Sequence, residues 1–301
     1  MKRIIFFCVF TLLIATGLFS EGLRERSASD RQTAGSSVWK ASKDGNILYL
    51  GGSVHILRAA DFPLPVEFDY AFSASEILVL EANAELLSDP EIAEYLYSQL
   101  YLPGDTTLQS LLDFETYTQL SDVCEEYGIS IANVDNLRPS MLVNILLLYQ
   151  IQKLGFEEEG IDENYRMKAK KENKSVLFLE SVETQIDMLL SLGEGYENEY
   201  VAYSLADMEN TEESLEILMH EWKYGIEGSN EETITEIINN WPEMYKTLIT
   251  DRHDKWLPQI EAFTASGKVH FVVTGLMHMY GPDGLIQRLK NLGYTVEKLR
   301  L

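Results

Sequence analysis

Two Gly-x-x-His segments stand near opposite ends of the chain, Gly52-Ser53-Val54-His55 and Gly275-Leu276-Met277-His278. Each directly follows an apolar run that reads as a buried strand, residues 46–50 and 269–274. Two carboxylates fall at comparable points, Glu81 after Ile77-Leu78-Val79-Leu80 and Glu180 after Ser175-Val176-Leu177-Phe178-Leu179. In open α/β sheets, ligand-binding groups collect just beyond the carboxyl ends of the strands. A glycine at that point lets the backbone turn tightly and present the next side chains to the crevice. Imidazoles and carboxylates gathered at one such edge can hold a divalent transition metal with a position left open for water or substrate. The competing reading is a histidine that only caps backbone groups at a strand end. Of the other three histidines, His270 falls inside a strand and His220 lies beside Glu221 in a charged helical setting, so both read as structural or surface residues; His253, which follows Arg252, stays open as an additional ligand.

For these residues to meet, one sheet must receive strands from both ends of the chain. Near the start, residues 38–41 and 46–50 flank Ser42-Lys43-Asp44-Gly45, and an Asp-Gly pair between apolar runs predicts a hairpin. A Pro-marked helix over 65–75 and a buried strand over 76–81 follow, which together make a βαβ unit. Near the end, a strand over 269–274, a helix start at Gly281-Pro282-Asp283-Gly284, a helix over 285–292 and a strand over 294–299 repeat that logic. Between them the period is mainly helical, with Pro90, Pro139 and Pro242 placed as first-turn prolines and one strand at 175–180 wedged between helices. The expected fold class is α/β, a central mainly parallel sheet built from both chain ends and flanked by helices, with a large helical insertion in the middle.

The first residues carry the three-part layout of a secretory signal: Lys2 and Arg3, an apolar run over 4–19, then polar sequence. Residues 1–20 are read as a signal peptide, 21–37 as a flexible tether, and 38–301 as a single domain with its helical insertion over about 89–263. Export to the periplasm or the extracellular space is the expectation, with an uncleaved N-terminal anchor as the alternative and no stable membrane span after cleavage. Once the signal is removed, Cys124 is the one cysteine left, so no intramolecular disulfide is available. Its helical spacing to Leu120 and Tyr127 predicts a buried, inert thiol. A formal net charge of -24 repels polyanions and sets nucleic-acid binding aside.

The paired histidine motifs, the Ile77-to-Glu81 segment and the ending Gly281-Pro282-Asp283-Gly284-Leu285-Ile286 through Gly293-Tyr294-Thr295-Val296 resemble the TraB/GumN family, which includes the Tiki metalloproteases. Gly160-Ile161-Asp162, Leu179-Glu180 with Gln185, and Asp251-Arg252 followed by Trp256 are similar to that family's middle elements, and the likeness runs from about Trp39 to Leu299. It implies a fold related to erythromycin esterase and to a haem-binding group, with both histidine motifs and the first strand-end Glu gathered at one site. It departs at His253, where many relatives carry Asn. The expected function is an exported metal-dependent hydrolase, cutting a peptide or amide bond of a peptide or small-molecule substrate. His55, Glu81 and His278 would hold a divalent ion (Mn, Co or Zn) that activates water. Glu180 would be the general base or a fourth ligand, and Arg252 would stabilise an oxyanion or fix a substrate carboxylate, unless it serves only as a salt-bridge partner. The alternatives are metal-free, esterase-like hydrolysis with His55 as the base and Glu81 orienting its imidazole, or a protein that binds metal, haem or peptide without catalysis.

Overall fold

The computed structural model describes residues 35–225 and 229–301. Both the expected signal peptide and most of the expected tether lie outside the described residues. The last three tether positions do not: Ser36 and Ser37 are buried, and Ser37 N–H donates to the Trp222 carbonyl at 3.1 Å. Among the described residues no helix is long and apolar enough to cross a membrane.

Among the described residues eight strands form two sheets. They are β1 (Val38–Lys43), β2 (Asn46–Ser53), β3 (Ile56–Leu57), β4 (Ile77–Leu80), β5 (Glu158–Glu159), β6 (Ser175–Phe178), β7 (His270–Gly275) and β8 (Thr295–Lys298). The main sheet runs β6-β4-β7-β2-β1-β8, with β6, β4, β7 and β2 parallel and β1 antiparallel to both neighbours. This is the α/β architecture, and strands from the two chain ends lie side by side at its centre, β2 against β7. Asp44 and Gly45 both have left-handed φ, 52° and 82°, the geometry that lets a two-residue turn join β1 to β2. Every residue of β7 is buried, as expected of a parallel strand covered on both faces. Successive side chains of a strand point to opposite faces. Accordingly Phe271 joins Phe68 and Tyr165, while His270 stacks on Phe263 of the Asp251–Ala265 helix, ring centroids 5.0 Å apart.

The chain divides into two compact units. The sheet unit comprises residues 35–82, 157–180 and the described part of 213–301. Residues 157–180, which sequence period groups with the helical middle, therefore supply β5, the Ile161–Glu172 helix and β6 to the sheet unit. Local period has no means of registering which unit a helix joins. The helical unit, Asn83–Phe156 and Ser181–Glu212, has Pro90 and Pro139 in the first turns of its helices. Its Pro139–Lys153 helix is buried along nine residues, so it is a core helix. Cys124 is fully buried there, and burial pushes its thiol up to about 11, which leaves it an inert packing residue.

Candidate active site

His55 follows β2 and is fixed by the small β3–β5 sheet. That pairing, Ile56 opposite Glu159, carries Gly160-Ile161-Asp162 against the histidine backbone. Ile161 N–H donates to the Val54 carbonyl at 3.1 Å. A Cβ on Gly160 would lie 2.3 Å from the His55 carbonyl carbon, so only glycine permits the approach. The result is that Asp162 Oδ1 meets His55 Nδ1 at 2.9 Å and accepts the Ser53 hydroxyl at 2.8 Å. A carboxylate on Nδ1 fixes the proton there and leaves the Nε2 lone pair facing away from Asp162. Burial depresses the His55 imidazole, but the Asp162 charge and hydrogen bond outweigh it and hold the group above the ordinary histidine value. Ser53 gives its proton to Asp162 and not to the imidazole, so these three residues are not a serine-nucleophile triad.

Glu81 leaves the end of β4 and lies beside the end of β7, where its Oε1 accepts the Gly275 N–H at 2.6 Å. Its Oε2 takes a hydrogen bond from Arg252 Nη2. Glu180, just past β6, takes the same guanidinium in fork geometry, Oε1 from Nη2 at 2.7 Å and Oε2 from Nε at 3.2 Å. Trp256 Nε1 donates to Glu180 Oε2 at 3.0 Å, and the Arg252 guanidinium carbon lies 4.4 Å over the Trp256 ring. Arg252 and Trp256 are one helical turn apart, which is why Asp251-Arg252 followed by Trp256 reads as a unit. Their helix is entered through a π-helical turn, Lys246–Thr250, a feature frequent at functional sites. Burial opposes the charge of Arg252, yet Glu81 and Glu180 hold its pKa above the ordinary value. Burial likewise opposes ionisation of Glu81, but Arg252, His55 and the Gly275 N–H pull its carboxyl below the usual carboxylate value.

His278 closes the cluster from the short helix after β7, with its Nε2 2.9 Å from Arg252 Nη1. Arginine can only donate, so Nε2 is the acceptor and Nδ1 carries the proton. That proton points to His253 Nε2 at 2.9 Å. His253 must then carry its own proton on Nδ1, which donates to the Asp283 carbonyl at 2.6 Å. The whole chain of bonds is consistent with two neutral imidazoles. Burial, reinforced by Arg252, holds His278 well below the ordinary value, and burial brings His253 down to about 4.

The structure thus gathers all five residues singled out from the sequence, His55, Glu81, Glu180, Arg252 and His278, in the sheet unit. They approach one another closely where Gly275 has no side chain. A Cβ there would lie 3.1 Å from His55 Nε2, 3.5 Å from Glu81 Oε1 and 3.6 Å from His278 Cδ2. Neither Gly52 nor Gly275 has positive φ, so these glycines provide space and not a turn. At Gly52 a Cβ would lie 2.4 Å from the Leu276 side chain. Five-donor arithmetic also limits Arg252: Nε, both Nη2 protons and one Nη1 proton serve Glu180, Glu81 and His278, and Nη1 also faces the Leu248 carbonyl at 3.5 Å. An oxyanion would have to displace one of these bonds, and Glu180 is committed on both oxygens. The expected divalent ion meets the same limit. Arg252 already takes the lone pairs of His278 Nε2 and Glu81 Oε2, and among the described residues no three His, Cys, Asp or Glu side chains are placed to hold a metal. As arranged, His55, Glu81 and His278 do not fit one.

Asp162 and His253 are the working neighbours that residue types did not assign. Asp162, and not Glu81, orients the His55 imidazole; its signal in the sequence is the Gly160-Ile161-Asp162 segment, and that of His253 is its place beside Arg252 where many relatives carry Asn.

Against known proteins, the TraB/PrgY/gumN family model matches residues 37–298. The chain is similar to "Uncharacterized protein YbaP" of Escherichia coli (strain K12), 27% identical over 244 residues that cover 80% of this chain and 87% of that protein. The YbaP of Shigella flexneri matches with the same identity and coverage. No solved structure matches. With nearly all of the described sheet and helices inside the matched span, the chain belongs to the TraB/PrgY/gumN family.

Proposed function

We propose that this protein is a hydrolase of acyl bonds, peptide, amide or ester, in which His55 activates the attacking water. The observation that carries the reading is the convergence of His55 Nε2 and Glu81 Oε1 on Gly275, which has no Cβ to hold them off. A water bound between the two side chains would donate one proton toward each. His55, whose Nδ1 proton is held by Asp162, takes the water proton on Nε2 as the oxygen attacks the carbonyl carbon, and Asp162 stabilises the imidazolium that forms. The imidazolium then returns a proton to the leaving amine or alkoxide. Asp162 holds the His55 imidazole above the ordinary histidine value, which strengthens it as the base. Arg252, Glu180 and Trp256 act as positioning residues that lock Glu81 beside Gly275. The metal-dependent reading requires Arg252 to give up both Glu81 and His278. Residues 1–20 support export as the setting, so that the substrate is met outside the cytoplasm.

The test is an assay of chelator-treated protein on nitrophenyl esters and fluorogenic peptides. Turnover should survive the chelator and fall by about 10²–10⁴-fold in His55→Ala, with the fold unchanged by circular dichroism. Activity lost to chelator and restored by Mn or Co would move the assignment to the metal-dependent hydrolase. A folded protein with no turnover on any substrate would favour a binding role.

A further inference from the structure

We infer that His253 is a positioning residue: it accepts from His278, donates to the Asp283 carbonyl, and so fixes the direction of a hydrogen-bond chain that ends on Arg252 and, through it, on Glu81 and Glu180. Neither His253 nor His278 takes part in the proton transfers at His55. The ends of the chain are set by chemistry, because a guanidinium can only donate and a carbonyl can only accept. Between them lie two imidazoles, each with one donor and one acceptor when neutral. One arrangement pairs every atom: Arg252 Nη1 to His278 Nε2 at 2.9 Å, His278 Nδ1 to His253 Nε2 at 2.9 Å, and His253 Nδ1 to the Asp283 carbonyl at 2.6 Å. Reversing the tautomer of either ring sets two donors against each other on one side and two lone pairs on the other.

Burial gives that direction its force. His253 is closed to solvent and His278 nearly so, so a mismatched donor would be left buried and unpaired. The accepting end is anchored in turn: the Tyr245 hydroxyl donates to Asp283 Oδ2 at 3.3 Å, and Arg288 Nη2 donates to Asp283 Oδ1 at 3.3 Å. At the other end, without the His278 lone pair Arg252 Nη1 would keep only the Leu248 carbonyl at 3.5 Å, and the guanidinium that holds Glu81 would lose an anchor. Both imidazoles also lie against Trp256, ring centroids 5.5 Å away for His253 and 4.8 Å for His278, so packing is the competing role for the His253 ring. What the inference expects of turnover rests on the hydrolase reading, in which Glu81 borders the attacking water; the proton positions do not. Because His253 acts through His278 and Arg252 and touches no substrate, its loss is expected in kcat and not in KM.

The experiment reads which imidazole nitrogen carries the proton, by long-range 1H–15N spectra of full-length protein with labelled histidines, alongside kcat and KM on the same ester and peptide substrates. It compares His253→Phe, which keeps a ring against Trp256 and loses both hydrogen bonds, with His253→Gln, which loses the ring and keeps an amide acceptor and donor. In wild type His253 and His278 should each carry one proton, on Nδ1. His253→Phe should lose the single His278 tautomer, with kcat falling roughly tenfold and KM unchanged. His253→Gln should keep both the tautomer and most of the turnover. Should His253→Phe fail to fold, His253→Leu takes its place. A His278 proton on Nε2 in wild type would overturn the inference. So would a His253→Phe protein that keeps the tautomer or the wild-type kcat, or a His253→Gln protein that loses both, since ring packing would then be the role of His253. A wild type without turnover on any substrate would remove the hydrolase reading and leave the tautomers to decide the inference.

Discussion

The two units treat charge in opposite ways. The helical unit, residues 83–156 and 181–212, carries nineteen Asp and Glu against Arg138 and Lys153 alone, and none of these charged residues is buried. The sheet unit has a far more even balance, yet it contains every buried charged or histidine residue among those described, Asp61, Glu81, Glu163, Glu221, Arg252, His253, His270 and His278, as well as Glu180, whose side chain is 6% exposed. Charge on a solvated face costs little and specifies little, because water and salt screen it. Charge moved out of water must be matched by partners at fixed distances, and Arg252 with two carboxylates and a neutral imidazole is such a match. The lesson is that the many acidic residues on solvated faces set the net charge, whereas the few buried ones say where the protein can do chemistry.

The largest way to break that contrast is Arg252→Met. It leaves Glu81 and Glu180 buried without their cation, and the expected loss is about 3–5 kcal/mol in urea unfolding. A loss below about 1 kcal/mol would mean that water reaches the carboxylates and that the cluster resembles the helical unit's surface.

Asp162→Asn should lower turnover by roughly 10²-fold while the protein stays folded. It should also move the pH profile. Asp162 raises the His55 pKa, and the base works only when neutral, so activity in the wild type rises as pH climbs through that raised value. Without the Asp162 charge the pKa falls, and the acid limb of the profile shifts to lower pH. An unmoved limb, measured on kcat/KM from pH 5 to pH 9, would show that another group governs it.

At the small end, Lys153→Met removes a cation lying 4.0 Å over the Tyr127 ring in the helical unit, and the expected change is within about 1 kcal/mol. Together with Arg252→Met it measures the comparison directly, one cation in each unit. Equal losses would erase the distinction.

What the sequence determined by itself are the features that local rules govern. Asp44-Gly45 fixes a hairpin because only such residues accept two consecutive left-handed conformations readily. The apolar runs before Gly52 and Gly275 fix buried strands, and strand ends in an α/β sheet fix where ligand groups collect. From these, four site residues and the fold class were legible, while Arg252, in a helix, was marked by the family resemblance. Only the tertiary structure decided their roles. Arg252 reaches Glu81 across 171 positions, and that contact, which no spacing encodes, turns both from free reactants into a matched pair. The proton on His278 is set by its partners Arg252 and His253, not by the residue itself. Gly160 fits against His55 only because β3 pairs with β5, two-residue strands too short to leave a periodic signal. Local chemistry is written in neighbours along the chain, but burial and pairing arise only when distant segments exclude water together, and in this protein burial and pairing are what assign each charged side chain its task.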